Sequence, residues 1–333
     1  LDGGKISIQT NVDRDNISNG AVSGDGFNDI IMERKEVTLE SGHTITSVKG
    51  NGMLLGSNST ATLNTESGYK VKGTIDISNI PGTSTTATYT SYGYTDIDAT
   101  GKLKVSEGIG AYGVNGSKII NNGTIEVTNS NTTNSGIGIA VLATNISGTP
   151  DAYGKNAGKA GLWGEVINKG TIDITGTHGI GIYMENNHNS AAKTQMTVHN
   201  EAPITLGDNG KGIVIRSTNT TGVGGTLTLK DSGTGRDIKV GKSGIGIYAQ
   251  GSDVKIDGNY GIEIQEGGVA LQSEGNTIIS HINAADKLTV DYAGTSGIGN
   301  TAIGIAFKGV AGNTFSSNMN MEVLNTGGAE TIV

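Results

Sequence analysis

The chain has 333 residues, of which 55 are glycine, 3 are proline and none is cysteine, and only 4% are aromatic. The formal net charge of −8, without a cluster of lysine and arginine, argues against a nucleic-acid partner, because phosphate binding requires a basic surface. No apolar run approaches the ~20 residues that a membrane-spanning helix needs, and the scarcity of large apolar side chains disfavours a conventional globular core.

Residues 1–100 contain short alternating runs of apolar and polar residues, which predict irregular strands. Within them, the segment from Gly24 to Asp29 resembles an acidic, glycine-rich calcium loop, in which carboxylate oxygens surround a hard cation. A plain turn is the simpler interpretation, because the segment occurs once and its spacing departs from the repeated calcium motif. The alternative is a calcium site formed by Asp25, Asn28 and Asp29.

Residues 80–94 are rich in threonine, serine and tyrosine, and we predict an inserted loop there. The threonine-rich part is compatible with either a strand or a protruding loop. Insertions in a repeat protein cluster on one side and often carry the binding site. Tyr89, Tyr92 and Tyr94 are therefore candidate binding residues.

Residues 101–309 are built from two recurring runs that alternate with a period of two, which is typical of β-strands. The first run is seen in Gly170-Thr171-Ile172-Asp173-Ile174 and the second in Gly244-Ile245-Gly246-Ile247-Tyr248. A degenerate copy of the second run is expected at residues 268–271. The spacing between copies varies, and helical periodicity is almost absent, so the pattern favours a β-solenoid of roughly ten coils over helical repeats.

Stacking of the copies predicts columns of side chains along the solenoid. One predicted inner column contains Ile75, Leu103, Ile125, Ile172 and Leu227, and another contains Ile109, Ile137, Ile180, Ile213, Ile245 and Ile305. The outer column of the first run has mixed charges and predicts a solvated face: Asp76, Lys104, Glu126, Asp173, Thr228, Lys239 and Lys255. The outer column of the second run contains Tyr112, Ala140, Tyr183, Val214, Tyr248 and Ala306. These tyrosines either cover the backbone against water or present a flat surface to a sugar or a protein.

A second inserted loop is predicted at residues 144–165, the widest clear gap between copies. It carries Tyr153 and the single tryptophan, Trp163, which are further candidate binding residues. After this loop the repeats are regular as far as residue 309, and residues 310–333 are expected to form a continuing or fraying coil. We treat residues 1–333 as one solenoid segment of a longer protein.

The sequence offers no candidate catalytic residue. The five histidines lack the short spacings of zinc motifs, so no metal or other cofactor is expected, and no nucleophile elbow is present. The enzymatic alternative is a β-helical polysaccharide lyase or hydrolase, which would require clustered carboxylates on an open face.

The segments Asn168-Lys169-Gly170-Thr171-Ile172-Asp173-Ile174 and Ser243-Gly244-Ile245-Gly246-Ile247-Tyr248 resemble repeats of bacterial type V secretion autotransporter passengers, especially the long Gly/Asn-rich adhesins of anaerobic oral bacteria. The resemblance implies a right-handed parallel β-helix on the cell surface, exported through a C-terminal outer-membrane barrel that this chain does not contain. It also implies a non-catalytic protein that binds a host cell-surface protein or glycan or other bacterial cells, or that serves as the stalk of a distal binding region.

Overall fold

The computed structural model describes residues 6–8, 12–13, 36–46, 52–55, 68–78, 85–91, 93–114, 116–129, 136–143, 164–186, 193, 196–218, 224–233, 237–275, 277–295, 301–308, 314–315 and 320–326. Every regular element in these ranges is a β-strand, and every strand pairing is parallel. The strands form three sheets, named A, B and C here.

Sheet A contains β1 (Ile6–Ile8), β3 (Glu36–Leu39), β6 (Gly68–Val71), β9 (Tyr94–Ile97), β12 (Lys118–Asn121), β15 (Gly164–Asn168), β18 (Met196–Asn200), β21 (Thr226–Lys230), β24 (Asp253–Asp257), β27 (Ile278–His281) and β30 (Thr314–Phe315). Sheet B contains β2 (Val12–Asp13), β4 (Thr44–Thr46), β7 (Thr74–Ile77), β10 (Lys102–Ser106), β13 (Thr124–Asn129), β16 (Thr171–Gly176), β19 (Ile204–Leu206), β22 (Ile238–Val240), β25 (Asn259–Ile264), β28 (Lys287–Tyr292) and β31 (Asn320–Asn325). Sheet C contains β5 (Met53–Leu55), β8 (Thr86–Ser91), β11 (Ile109–Val114), β14 (Ile137–Ala143), β17 (Ile180–Asn186), β20 (Lys211–Ser217), β23 (Ile245–Gln250), β26 (Val269–Glu274) and β29 (Ile303–Lys308).

The chain is a parallel β-helix, as the repeats predict. Each full coil supplies one strand to sheet A, the next to sheet B and the next to sheet C, and the following coil stacks on it in register. Sheets A and B each contain eleven described strands, which agrees with the expected number of roughly ten coils. The expected degenerate copy is confirmed, because β26 pairs with β23 and β29. The right-handed sense stays a prediction.

The first predicted inner column is partly wrong, because each coil has three strands and not two. Ile75, Leu103, Ile125 and Ile172 do lie in one buried row, and this row belongs to sheet B. Leu227 belongs to sheet A, as do Thr228 and Lys255 of the predicted outer column. Strands of sheets A and B have the same apolar-polar alternation, so the sequence pattern does not distinguish them.

The second predicted inner column mixes two rows of sheet C. Ile109, Ile137, Ile180 and Ile245 are half-buried, whereas Ile213 belongs to the fully buried row next to them. That buried row contains Ala111, Ile139, Ile182, Ile213, Ile247 and Leu271, and the partly buried Ile305 continues it. In β17 and β23 the first isoleucine is half-buried, and the glycine and the isoleucine that follow it are both buried. Strict alternation between buried and exposed residues therefore fails at the start of these strands.

The glycine between these rows explains the recurring Gly-Ile-Gly-Ile motif. A Cβ atom at Gly181 would lie 2.5 Å from Ile204 Cγ2 and 2.5 Å from the carbonyl oxygen of Gly212. Gly138 is equally enclosed, with Ile172 Cγ2 at 2.7 Å from the position of a Cβ. The motif therefore needs glycine because this part of sheet C lies directly against the inner row of sheet B.

A buried ladder of polar side chains lies where sheet A turns into sheet B. Asn121 Nδ2 donates to Asn168 Oδ1 at 2.8 Å, and Asn168 Nδ2 donates to Asn200 Oδ1 at 2.7 Å. Asn200 Nδ2 then donates to the hydroxyl oxygen of Tyr260 at 2.7 Å. All four residues are fully buried, so the hydrogen bonds satisfy polar groups that water cannot reach.

The described part of the predicted loop at residues 80–94 lies in the wall of the solenoid. Residues 86–91 form β8, which pairs with β5 and β11, and Tyr94 begins β9. Of the predicted loop at 144–165, only residues 164 and 165 are described, and they begin β15. Strands β30 and β31 continue sheets A and B beyond residue 310, so the coil continues there.

Candidate binding surface on sheet C

The predicted binding residues do not form one site among the described residues. Tyr89 lies on sheet C and Tyr94 lies on sheet A. Tyr92, Tyr153 and Trp163, and the calcium candidates Asp25, Asn28 and Asp29, lie outside the described residues.

The Tyr94 side chain is packed and hydrogen-bonded within sheet A. Its hydroxyl donates a hydrogen bond to Glu36 Oε2 at 2.7 Å, and its ring lies over Gly68, where a Cβ would come within 2.6 Å of ring atoms. Burial and the nearby Glu36 carboxylate raise the pKa of Tyr94 well above its ordinary value. The side chain thus crosses the intervening strand β6 and contacts Glu36 on β3, two coils away.

The predicted outer column of tyrosines is confirmed on sheet C. The strand register places the following residues in one row: Tyr89, Tyr112, Ala140, Tyr183, Val214, Tyr248, Gln272 and Ala306. The rings of Tyr89 and Tyr112 contact each other edge to face, with centroids 5.4 Å apart and an interplanar angle of 62°. Burial, Tyr89 and Glu185 together raise the pKa of Tyr112.

Two further rows complete the outer surface of sheet C. On one side is a largely apolar row of Ile109, Ile137, Ile180, Lys211, Ile245, Val269 and Ile303. On the other side Val114 and Leu142 are followed by Glu185, Arg216, Gln250 and Glu274. We call these three rows the tyrosine face. A row of half-buried tyrosines beside partly exposed apolar residues is a candidate interaction surface, because aromatic side chains supply much of the contact area in interfaces.

Arg216, Glu185 and Tyr183 form a charge-neutral cluster on the tyrosine face. Arg216 donates to Glu185 Oε2 from Nη2 at 2.8 Å and from Nε at 3.0 Å, and Tyr183 Oη donates to the same carboxylate. The Arg216 Cζ atom lies 5.6 Å from the centroid of the Tyr183 ring, which is the range of a cation–π contact. The cluster fixes the Tyr183 ring in place and neutralises the Glu185 charge.

The hydroxyl groups of Tyr183 and Tyr248 are both held protonated. Tyr248 Oη donates to Glu274 Oε2 at 2.7 Å. Burial, together with the hydrogen-bonded carboxylate, raises the pKa of each tyrosine to about 12. Neither hydroxyl is therefore suited to act as a general base near neutral pH, since such a base needs a pKa near the working pH.

The outer surfaces of sheets A and B have a different chemistry, because opposite charges pair between successive coils. On sheet B, Lys104 Nζ lies 3.6 Å from Asp76 Oδ2, and Lys239 Nζ lies 3.5 Å from Glu263 Oε2. On sheet A, Lys118 Nζ lies 2.8 Å from Glu165 Oε2. The prediction of a solvated, mixed-charge face fits sheet B.

The carboxylates of the tyrosine face do not have the spacing of a glycoside hydrolase. Glu185 on β17 and Glu274 on β26 are three coils apart in sheet C, which separates their backbones by ~14 Å, whereas the two catalytic carboxylates of such enzymes lie within about 10 Å. On sheet B, Glu126 and Asp173 are direct neighbours, but Glu126 is 40% exposed and paired with Lys102. A catalytic acid needs an enclosed, apolar environment, which this open surface does not supply.

His178 belongs to a turn that recurs between sheets B and C. It has a positive φ of 63°, and Asn209 and Ser243 have φ of 55° at the corresponding points of later coils. The amide of each donates to the next coil; for example, the amide of His178 donates to the carbonyl of Asp208 at 2.9 Å. Within the described ranges, no group of three or more His, Cys, Asp or Glu residues could hold a metal ion.

The fold defines a parallel β-helix protein whose clearest described surface feature is the tyrosine face. Comparison of the chain with protein-family models, with curated proteins and with solved structures finds no match. The described part of the chain contains no helix with the length and apolar character that crossing a bilayer requires.

Proposed function

We propose that this chain is a segment of a bacterial surface adhesin of the autotransporter type. In this proposal it binds a host cell-surface protein or glycan, or other bacterial cells, and it performs no catalysis. The observation that supports the proposal is the tyrosine face, a row of aromatic and small residues with an apolar row beside it, maintained over successive coils of a rigid rod.

The rod geometry suits attachment at a distance from a cell. Eleven stacked coils at ~4.8 Å each give a rod about 50 Å long, with every row of side chains parallel to its axis. Tyrosines supply large contact area at low conformational cost, so a row of them favours binding by a lateral surface. The resemblance to autotransporter passengers adds the proposed location, the outer surface of the bacterium, with a membrane barrel as the tether.

The alternative proposal is that the segment only spaces a distal binding region. The partly exposed charge pairs support it, such as Lys70 with Asp96 on sheet A and Lys239 with Glu263 on sheet B, because such surfaces remain hydrated and give little contact energy. A spacer, however, has no need for an apolar outer row that is sustained on one sheet.

A bead assay tests the proposed function. Latex beads coated with the 333-residue protein are incubated with cultured epithelial cells and with suspensions of several bacterial species, and retained beads are counted against albumin-coated beads. We expect clear retention on at least one cell type. Retention at the albumin level on every cell type would contradict the adhesin proposal and favour the spacer.

A variant lacking residues 146–163 separates two locations of the binding site. If the tyrosine face binds, beads coated with this variant are retained as well as the parent. If the segment carrying Tyr153 and Trp163 binds, retention falls to the control level. A circular dichroism spectrum and melting temperature unchanged from the parent are the control for folding.

A further inference from the structure

We infer that the tyrosine face binds a linear, uncharged polysaccharide whose chain runs along the axis of the rod. The inference rests on the proposed adhesive function and specifies its ligand class. Three observations support it: the spacing of the tyrosine rings, the small covered residues between them, and the polar and charged groups of the tyrosine face.

The tyrosines recur at every second coil through the middle of sheet C. Tyr112, Tyr183 and Tyr248 lie on β11, β17 and β23, and β14 and β20 lie between them. Two coils correspond to ~10 Å along the axis. The rings therefore form a periodic platform, and an extended polymer with its own regular repeat is the kind of ligand that can use it along its whole length.

The positions between the tyrosines are small and sealed. Ala140 is 3% exposed and Val214 is 4% exposed, so neither contributes a protruding side chain. Both residues are covered by neighbouring side chains, so the half-buried tyrosines supply the accessible aromatic surface of this row and no bulky group stands between them. Sugar rings have C–H faces that pack against aromatic rings, while their hydroxyl groups project sideways.

The polar row beside the tyrosines lies where such hydroxyl groups would project. It offers a carboxylate at Glu185, a guanidinium at Arg216, an amide at Gln250 and a carboxylate at Glu274. These groups together donate and accept hydrogen bonds, which matches hydroxyl groups because they do both. Hydrogen bonds to charged groups are the stronger ones, so this row would fix the position of the chain on the platform.

The charge of the face favours an uncharged polymer over an acidic one. The described charges of the face nearly balance: Arg216 is paired with Glu185, Glu274 lies beside Lys308 of the next coil, and Lys211 is the remaining charge. These cations are dispersed over several coils and form no cluster, and the whole chain carries a net charge of −8, so an acidic polysaccharide meets a repulsive overall field. A neutral polymer meets no such penalty.

Affinity electrophoresis tests the inference on the full 333-residue chain. Native gels contain hydroxyethyl cellulose, galactomannan or laminarin as uncharged probes, and polygalacturonate or hyaluronate as acidic probes. We expect retardation by at least one uncharged polymer and by neither acidic one. Retardation by an acidic polymer alone, or by no polymer, would overturn the inference.

Two tyrosine variants locate the site. We expect Tyr183→Ala and Tyr248→Ala each to raise the dissociation constant for the retarding polymer about tenfold, as truncation of an aromatic anchor does. Tyr183→Phe keeps the ring and should change it by about twofold or less. Tyr94→Ala is the matched control, since Tyr94 is a half-buried tyrosine on sheet A with its own carboxylate partner, and it should leave binding unchanged.

The outcomes separate the inference from the proposed function. If beads adhere to cells but no polymer retards the protein, the ligand assignment is wrong and the adhesin proposal stands, with a protein partner as the next candidate. If a polymer binds but beads adhere to no cell, the adhesin proposal is wrong. If Tyr94→Ala weakens binding as much as Tyr183→Ala, with both variants folded, the assignment to sheet C is wrong.

Discussion

Sheets B and C are built from the same coils and share a core, yet their outer surfaces are opposite in character. The outer row of sheet B holds charges that pair along the stack, such as Lys239 with Glu263. The outer row of sheet C holds tyrosines separated by alanine and valine. Since the inner rows of both sheets are mainly apolar, with exceptions such as Thr88 and Ser273 on sheet C, the fold does not require this difference.

The sheets also differ in the contacts that join each one to its neighbour. Sheet B joins sheet A through buried hydrogen bonds between asparagines, whereas sheet C joins sheet B through glycines that lie against isoleucine side chains. The residues at inner positions are therefore selected for stacking of the coils, and the residues at outer positions are selected for the function of the surface. Substitutions at both kinds of position, and a change of pH, test this distinction.

The asparagine ladder gives the largest expected effect. Asn168→Ala removes two buried side-chain hydrogen bonds and leaves Asn121 and Asn200 each without one partner. We expect a loss of about 3 kcal/mol in the free energy of unfolding, since unpaired buried polar groups cost about 1–3 kcal/mol each. Urea denaturation measures it. Asn122→Ala is the control: the Asn122 side chain lies next to the ladder and donates to the partly exposed Asp96, so its loss should cost less than about 1 kcal/mol.

The glycine contact between sheets B and C gives the second effect. Gly181→Ala places a methyl group 2.5 Å from both Ile204 Cγ2 and the carbonyl oxygen of Gly212, so we expect a loss of about 2 kcal/mol. Gly304→Ala is the matched control in the same motif, because its Cβ would meet only Met321 Cε at 3.8 Å. Equal melting temperatures for the two variants would show that the close contact is not what selects glycine.

Alkaline pH should lower the stability of the protein through the tyrosines of sheet C. The pKa values of Tyr183 and Tyr248 are raised from about 10 to about 12, so their contribution to stability is complete below pH 10 and is lost as pH rises through 12. The melting temperature should fall over this interval, and phenolate absorbance should report the titration. In a Tyr183→Phe, Tyr248→Phe double variant the fall should be smaller; an unchanged fall would assign it to other tyrosines.

A charge on sheet B gives the smallest effect. Lys239→Ala removes the pair with Glu263 on an exposed surface, and we expect a change of less than about 0.5 kcal/mol. The variant should also bind cells and polysaccharides as the parent does. A larger stability loss, or any loss of binding, would mean that the outer row of sheet B does more than stay hydrated.

The sequence alone was sufficient for the solenoid and for the tyrosine row. Each clear copy of the second repeat run has a glycine two residues before the outer position, so aligning the copies on that glycine aligns Tyr112, Tyr183 and Tyr248. The three-strand coil was not predictable in this way. Strands of sheets A and B have the same alternation, and only their pairing in space separates Leu227 from Ile172.

Two inner features required the structure. The alternation of the sequence predicts that Ile180 faces the core, whereas the structure places Gly181 and Ile182 there. Gly181 is required because a Cβ atom at this position would clash with Ile204 of the next coil, a contact that the sequence pattern does not indicate. The asparagine ladder is partly visible in the sequence, because Asn121 and Asn168 each lie two residues before the glycine that precedes a sheet B strand. The local sequence pattern does not indicate that Asn200 donates a hydrogen bond to Tyr260, which is 60 residues away.

The in-register stacking has a mechanical consequence. The hydrogen bonds between coils point along the rod, so a pull along the axis loads those of the outermost coil in sequence rather than all at once. One coil separates Asn168 from Asn200 by 32 residues, and its release would lengthen the molecule by roughly 110 Å of extended chain. A rod of this construction gives way coil by coil, dissipating work at each step, while the coils behind the break keep their shape.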